Sequence, residues 1–184
     1  MSNTTQAEAP VADPNATALV QSLTPELVRT LMQDRGYRVE LAGDRDRPLL
    51  RSATNGVMFE VHFLNALQDA SGHADMSFGA VLQVRGTLPL EPINGWNGLR
   101  RFSRLHLHND LLVLSMDVSV LGGVTSAFLR AQIEIWDLLV HDCVSYLRDA
   151  LQRLAAPAGL NGAETATMPG NMPAAPAQAA AVSN

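Results

Sequence analysis

The chain has 184 residues, 47% of them hydrophobic and 17% charged, which is enough for one globular domain with tails. Its formal net charge of −5 argues against nucleic acid or an anionic membrane as a partner, because both require a basic footprint. All 13 residues counted as Lys or Arg are arginines, so Schiff-base and P-loop lysine chemistry are excluded.

The single cysteine, Cys143, permits no intramolecular disulfide, which fits a reducing compartment. The N-terminal segment lacks the basic and apolar regions of a signal peptide. No stretch approaches the roughly 20 apolar residues that a membrane helix needs. We therefore expect a cytoplasmic protein without a membrane partner.

Composition divides the chain into a domain and two tails. Residues 1–21 are rich in Ala, Thr, Asn and Pro, and residues 155–184 are rich in Ala, Pro and Gly. Neither segment has enough apolar bulk to offset the entropy of ordering, so both are predicted to be disordered. The folded domain is predicted over residues 22–154.

The first helix is predicted to begin after Thr24, a favourable N-cap, with Pro25 in its first turn and Gly36 just past its end. Four strands follow. Alternating apolar residues predict them over about 37–41, 49–53, 57–64 and 75–84, with a hairpin turn at Asn55-Gly56 between the second and third.

A second helix is predicted over about 91–101, followed by strands near 105–108 and 112–120 that are joined by a turn at Asn109-Asp110. The final helix, about 125–154, shows the strongest apolar periodicity. The element order predicts an α+β fold in which helices pack on a single antiparallel sheet. Trp96 and Trp136 are predicted to be buried and structural.

The apolar arc of the final helix is wider than one small sheet can cover. We therefore predict a homodimer with a contact near Ile135, Leu138, Leu139 or Tyr146. The alternative is that the first helix covers this arc within one chain, through Leu27 and Leu31.

The most prominent candidate binding site is a basic and aromatic cluster. Arg100, Arg101 and Arg104 lie close to Trp96 and Phe102, and guanidinium groups could hold a carboxylate, a phosphate or an acidic partner peptide. The alternative is that the aromatic rings pack inward while the arginines pair with Asp110, Asp117 or Glu91.

Other candidate chemistry is weaker. His62, His106 and His108 could converge on zinc, but no cysteine supports such a site. Gly122-Gly123 lacks the remainder of a phosphate-binding motif, and Cys143 falls on an apolar helix face where a thiol is inert. We predict no catalytic, cofactor or metal site and no enzymatic activity.

Three features identify a resemblance over about residues 24–150. They are the pattern Asn94-x-Trp96-Asn97-x₃-Arg101-Phe102, the pair Gly122-Gly123 and the helical Trp136. This order resembles the YbjN-domain family of bacterial sensory transduction regulators. The resemblance implies a fold like that of type III secretion chaperones, and it supplies no catalytic residues.

The resemblance favours a non-enzymatic protein that binds a protein partner, in regulation or stress signalling. The alternatives are a secretion-type chaperone that binds a partner polypeptide, and a small-molecule sensor. A pocket with convergent polar groups would favour the sensor, and a broad apolar groove would favour the other two.

Overall fold

The computed structural model describes residues 19–44, 46–69, 71–83 and 88–155, and these residues form eight strands and three helices. In chain order they are β1 (Leu19–Val20), α1 (Pro25–Gln33), β2 (Glu40–Gly43), β3 (Pro48–Thr54), β4 (Val57–Ala66), β5 (His73–Leu82), α2 (Leu90–Leu99), β6 (Arg104–His108), β7 (Leu111–Ser119), β8 (Val124–Thr125) and α3 (Ser126–Ala155).

Six strands form one antiparallel sheet in the order β2-β3-β4-β5-β7-β6. Strand β7 pairs with both β5 and β6, so β6 lies at the edge although it precedes β7 in the chain. The buried apolar residues of the central strands lie on one face, and Ser115 of β7 is buried on the other. The predicted α+β class with an antiparallel sheet is confirmed.

The core lies between this face and the helices. Both tryptophans are completely buried, as predicted, and Trp136 lies at the centre of an aromatic cluster. Its ring centroid is 5.4 Å from that of Phe78 and 5.6 Å from that of Phe59. Helix α3 also buries Leu129, Ile133, Val140, Cys143 and Leu147 at helical spacing, which explains the strength of its periodicity.

Helix α1 begins and ends as its sequence predicts. The Thr24 side chain accepts a hydrogen bond from the Leu27 N–H. At the other end, the Gly36 N–H donates to Gln33 O and the Tyr37 N–H donates to Met32 O. Gly36 has a φ of +86°, so this is a Schellman ending that favours glycine.

The prediction of a single sheet is wrong, because β1 and β8 pair as a second, two-stranded sheet. Strands of two residues carry no alternating pattern, so the sequence gives no signal for them. Leu19 and Val20 fall inside the predicted N-terminal tail. Regular secondary structure therefore begins before residue 22, the predicted start of the domain. The rest of both predicted tails, residues 1–18 and 156–184, lies outside the described residues.

Some strand limits also differ from prediction. Strand β2 begins at Glu40 rather than Tyr37, because the Tyr37 N–H caps helix α1 and the Arg38 carbonyl accepts a hydrogen bond from the Ser52 hydroxyl. Strand β5 begins at His73, two residues early, and its predicted end at Val84 lies outside the described residues.

The final helix is partly covered within the chain. Arg35 and Asp34, at the end of α1, form ion pairs with Glu134 and Arg130 of α3. Of the four residues predicted at a dimer contact, Leu139 is buried in the core, and Ile135 and Tyr146 are half-buried against it. Leu138, at 63% exposure, is the one that remains on the surface. The homodimer stays a prediction.

Candidate functional site on the open face of the sheet

The six-stranded sheet has one face without a helix among the described residues, and we call it the open face. Strand register places one row of six residues across it, one from each strand. We call this the central row, and it consists of Glu40, Arg51, Glu60, Gly79, Ser115 and Arg104. Charged side chains therefore flank a glycine and a serine at the middle of the sheet.

The two carboxylates nearest the centre already have partners. Arg51 Nε lies 2.8 Å from Glu60 Oε1, and His62 Nε2 lies 3.1 Å from Glu60 Oε2. The Glu60 carboxylate, through this hydrogen bond and its charge, raises the pKa of Arg51. On the far side of Gly79, Asp117 Oδ1 accepts from the Ser77 hydroxyl at 2.7 Å, and Asp117 Oδ2 binds Arg104 Nη2. Both carboxylates thus have each oxygen engaged.

A groove of about 490 Å³ lies over the middle of this face. Gly79 forms part of its floor, and a Cβ atom built there would meet no other atom within 4 Å. Met58, Val81 and Val113 make one side of the groove apolar, whereas Glu60, Ser115 and Arg104 are polar. Its volume is in the range of small-molecule sites.

Ser115 is the unusual residue in this groove. It is only 7% exposed, and its hydroxyl has no hydrogen-bond partner among the described residues. It pairs in register with Gly79 on one side and with Arg104 on the other. A buried hydroxyl without a partner is uncommon and requires an explanation.

Sequence reasoning missed Gly79, Ser115 and Glu60. A glycine inside an otherwise regular strand is a recognised sign of close approach by a ligand or another backbone, and Gly79 could have been found by that signal. No comparable signal marks Ser115, since its burial and its unpaired hydroxyl depend on the register of three strands.

The three arginines predicted to form one site lie in different surroundings. Arg104 is on the open face and pairs with Asp117, one of the partners that the sequence suggested. Arg100 lies over the Trp96 ring, 5.6 Å from its centroid, and its Nη2 is 3.2 Å from Asp142 Oδ2 on α3. The Arg101 guanidinium lies 5.0 Å from the centroid of the Phe102 ring. Of the three, only Arg104 lines the groove, and the partner-binding role of the three arginines stays a prediction.

The most specific sequence motif has a structural role. The Trp96 indole N–H donates to the Ser103 hydroxyl at 3.2 Å. The Asn97 amide both donates to Leu105 O and accepts from Leu105 N, each at 2.8 Å. These bonds attach helix α2 to the edge strand β6, and so they fix the strand that carries Arg104.

The family model described as "Putative bacterial sensory transduction regulator", YbjN, matches residues 24–149, which is more than half of the chain. The chain belongs to the YbjN family. No curated protein and no solved structure matches it. The likeness of this YbjN domain to secretion chaperones therefore stays a prediction.

Two further candidates from the sequence of this YbjN domain are the thiol of Cys143 and a group of metal ligands. Cys143 is buried in the core, and desolvation raises the pKa of its thiol to about 12. Among residues 19–155, apart from the gaps at 45, 70 and 84–87, no three His, Cys, Asp or Glu side chains are grouped as metal ligands. In the same part of the chain, no helix has the length and hydrophobicity to cross a membrane.

Proposed function

We propose that this YbjN-family regulator acts in the cytoplasm without catalysis, by binding a partner polypeptide on its open face. The main supporting observation is that no described helix covers the open face of the sheet. The central strands therefore expose apolar side chains to solvent on that face. Met58 is 71% exposed and Val81 is 52% exposed, and both lie at the groove. Exposed apolar side chains that adjoin one another favour an interaction surface.

The side chains of the open face suit a partner that binds reversibly. Apolar Met58, Leu64 and Val81 alternate with the charged pairs Arg51–Glu60 and Arg104–Asp117. Non-obligate interfaces have this mixture of apolar contacts and polar groups that tolerate water. The charged pairs also keep the face hydrated when no partner is bound.

Two features support a role without catalysis. The one thiol of the chain is buried and its pKa is raised, which makes it a poor nucleophile. Glu60 and Asp117, the carboxylates on either side of Gly79, are each held in an ion pair with an arginine.

The test compares three tagged proteins in quantitative affinity capture from bacterial cells. They are the wild type, Val81→Glu on the open face, and Leu99→Glu at the exposed end of helix α2 as the matched control. We expect a defined partner to be recovered with the wild type and the control, and to fall by about tenfold or more with Val81→Glu. Circular dichroism of all three establishes that each is folded.

The proposal fails if no captured protein depends on Val81, or if Leu99→Glu causes the same loss. The first result would mean that the open face does not bind a polypeptide. The second would mean that added negative charge, rather than the surface it occupies, decides capture.

A further inference from the structure

Some hydrogen-bond donors at the open-face groove have no partner among the described residues. Each oxygen of Glu60 and of Asp117 has a partner, and the Ser77 hydroxyl is used by Asp117. The Ser115 hydroxyl has none. Arg104 binds Asp117 through Nη2 and presents two further nitrogens, Nε and Nη1, on the same side chain. The Ser115 hydroxyl and two nitrogens of Arg104 are therefore available as hydrogen-bond donors at the groove.

The spare donors are adjacent. Ser115 and Arg104 are register partners on β7 and β6, so their Cβ atoms are about 5 Å apart. A carboxylate has two acceptor oxygens, and guanidinium and hydroxyl donors that lie side by side suit it well. Arg51 and Arg104 both line the groove, and each is paired with a carboxylate, Glu60 or Asp117.

The space beside these donors is apolar. Gly79 is the next residue of the central row, and Val81 and Val113 are register partners of each other at the adjoining row. Together with Met58 they line an apolar surface beside Gly79, where no Cβ fills the space. A planar apolar group attached to the carboxylate would rest here.

We propose that the open-face groove binds a small organic carboxylate with an apolar body. Its carboxylate contacts the Ser115 hydroxyl and the Arg104 guanidinium, and its body lies on Gly79 between Met58 and Val81. The Ser115 hydroxyl is buried in this structure, so the side chains over it must move for the ligand to reach it. This site is independent of the proposal that a polypeptide binds the same face.

The test is a titration of the full chain, followed by amide chemical shifts, with three probes of the same shape. Phenylacetate carries the charge, 2-phenylacetamide is neutral, and 2-phenylethylamine is cationic. We expect phenylacetate to shift the amides of Gly79, Ser115 and Arg104 in a saturable manner, in about the millimolar range for so small a molecule. We expect the neutral and cationic probes to bind at least about tenfold more weakly than phenylacetate.

Two variants and a control complete the experiment. A Cβ at Gly79 meets no atom within 4 Å and the residue has no positive φ, so we expect Gly79→Val to stay folded, to fill the floor and to lose phenylacetate binding. We expect Arg104→Gln to keep the shape of the groove. It should lower the affinity for phenylacetate but not for the neutral and cationic probes. Gly98→Ala, another glycine with open space at its Cβ but on helix α2, binds as the wild type does.

Equal shifts with all three probes would overturn the assignment of a carboxylate. Saturable binding that survives Gly79→Val would place the ligand elsewhere and would also overturn it. Because no polypeptide takes part in the titration, either result leaves the protein-binding proposal to its own test.

Discussion

The hydroxyl of Tyr37 donates a hydrogen bond to the carboxylate of Asp137, 3.1 Å away, and so connects the segment between α1 and β2 to the middle of helix α3. The same carboxylate accepts from the Thr54 hydroxyl, at the end of strand β3. One side chain of α3 therefore contacts two segments that lie 100 and 83 residues earlier in the chain.

This arrangement predicts a loss of stability at alkaline pH. Burial, followed by the charge and hydrogen bond of Asp137, raises the pKa of Tyr37 from 10.0 to about 12. The folded state thus holds the phenolic proton more tightly than the unfolded state does. The resulting stabilisation is complete below pH 10, and it is lost as the pH rises from 10 toward about 12.

Urea unfolding of the wild type and of Tyr37→Phe, at neutral pH and at about pH 11, measures this effect. We expect the wild type to lose more unfolding free energy than the variant between the two conditions. Equal losses would show that Tyr37 does not contribute to the alkaline transition.

Trp136 is predicted to be a major determinant of stability. It is completely buried and packs against Phe59 and Phe78, so Trp136→Ala leaves a large cavity. The expected cost is about 3–5 kcal/mol of unfolding free energy. The control on the same helix is Leu138→Ala, an exposed site where a change of less than about 0.5 kcal/mol is expected. Similar midpoints for the two variants would contradict the packing described above.

Gly95 and Tyr146 are predicted to be energetically coupled. A Cβ at Gly95 would lie 2.5 Å from the Tyr146 hydroxyl oxygen, which donates to Pro92 O at 2.8 Å. Gly95→Ala alone should cost about 1–3 kcal/mol by overpacking, and Tyr146→Phe alone about 0.5–1.5 kcal/mol by loss of the hydrogen bond.

The double variant removes the oxygen that the new methyl group meets. It should therefore be more stable than the sum of the single changes predicts, and a double-mutant cycle by chemical unfolding measures the difference. Additive costs would mean that the helix α2–α3 contact adjusts freely around Gly95.

Cys143 is predicted to be unreactive in the folded protein. Its side chain is buried, and desolvation raises the pKa of the thiol to about 12. A disulfide reagent at neutral pH should label it only as the protein unfolds, and labelling should become rapid in denaturant. Rapid labelling of the native protein would reveal that the core opens near the middle of α3.

The predicted homodimer is decided by light scattering at micromolar concentration. A dimer gives twice the chain mass of 19.8 kDa, and Leu138→Glu should return it to the monomer. A mass that stays at 19.8 kDa at every concentration would mean that α1 and the core account for the apolar arc of α3.

Sequence patterns predicted the elements whose signal is local. Thr24 and Gly36 mark the limits of α1 because capping uses residues within one turn. The turn at Asn55-Gly56 has positive φ at both residues, as a two-residue hairpin requires. Strand β1 could not be found in this way, because its pairing with Val124–Thr125 joins segments about one hundred residues apart.

The candidate site was predicted only in part, for the same reason. The charge of Arg104 marks it as a candidate, but its proximity in the sequence groups it with Arg100 and Arg101. The register of β6 on β7 instead places Arg104 beside Ser115, and the helix-to-strand junction turns Arg100 toward Asp142. Strand order decides which residues lie side by side across a sheet, and the sequence of a single segment does not indicate that order.

The position of α3 in the chain has a consequence during synthesis. This 30-residue helix supplies one wall of the core, yet it is translated after the entire six-stranded sheet. At about 5–20 residues per second, several seconds pass between completion of β7 and completion of α3. Throughout that interval Phe59, Phe78 and Met116 lack their cover, so the nascent chain is expected to be a substrate for ribosome-associated folding factors.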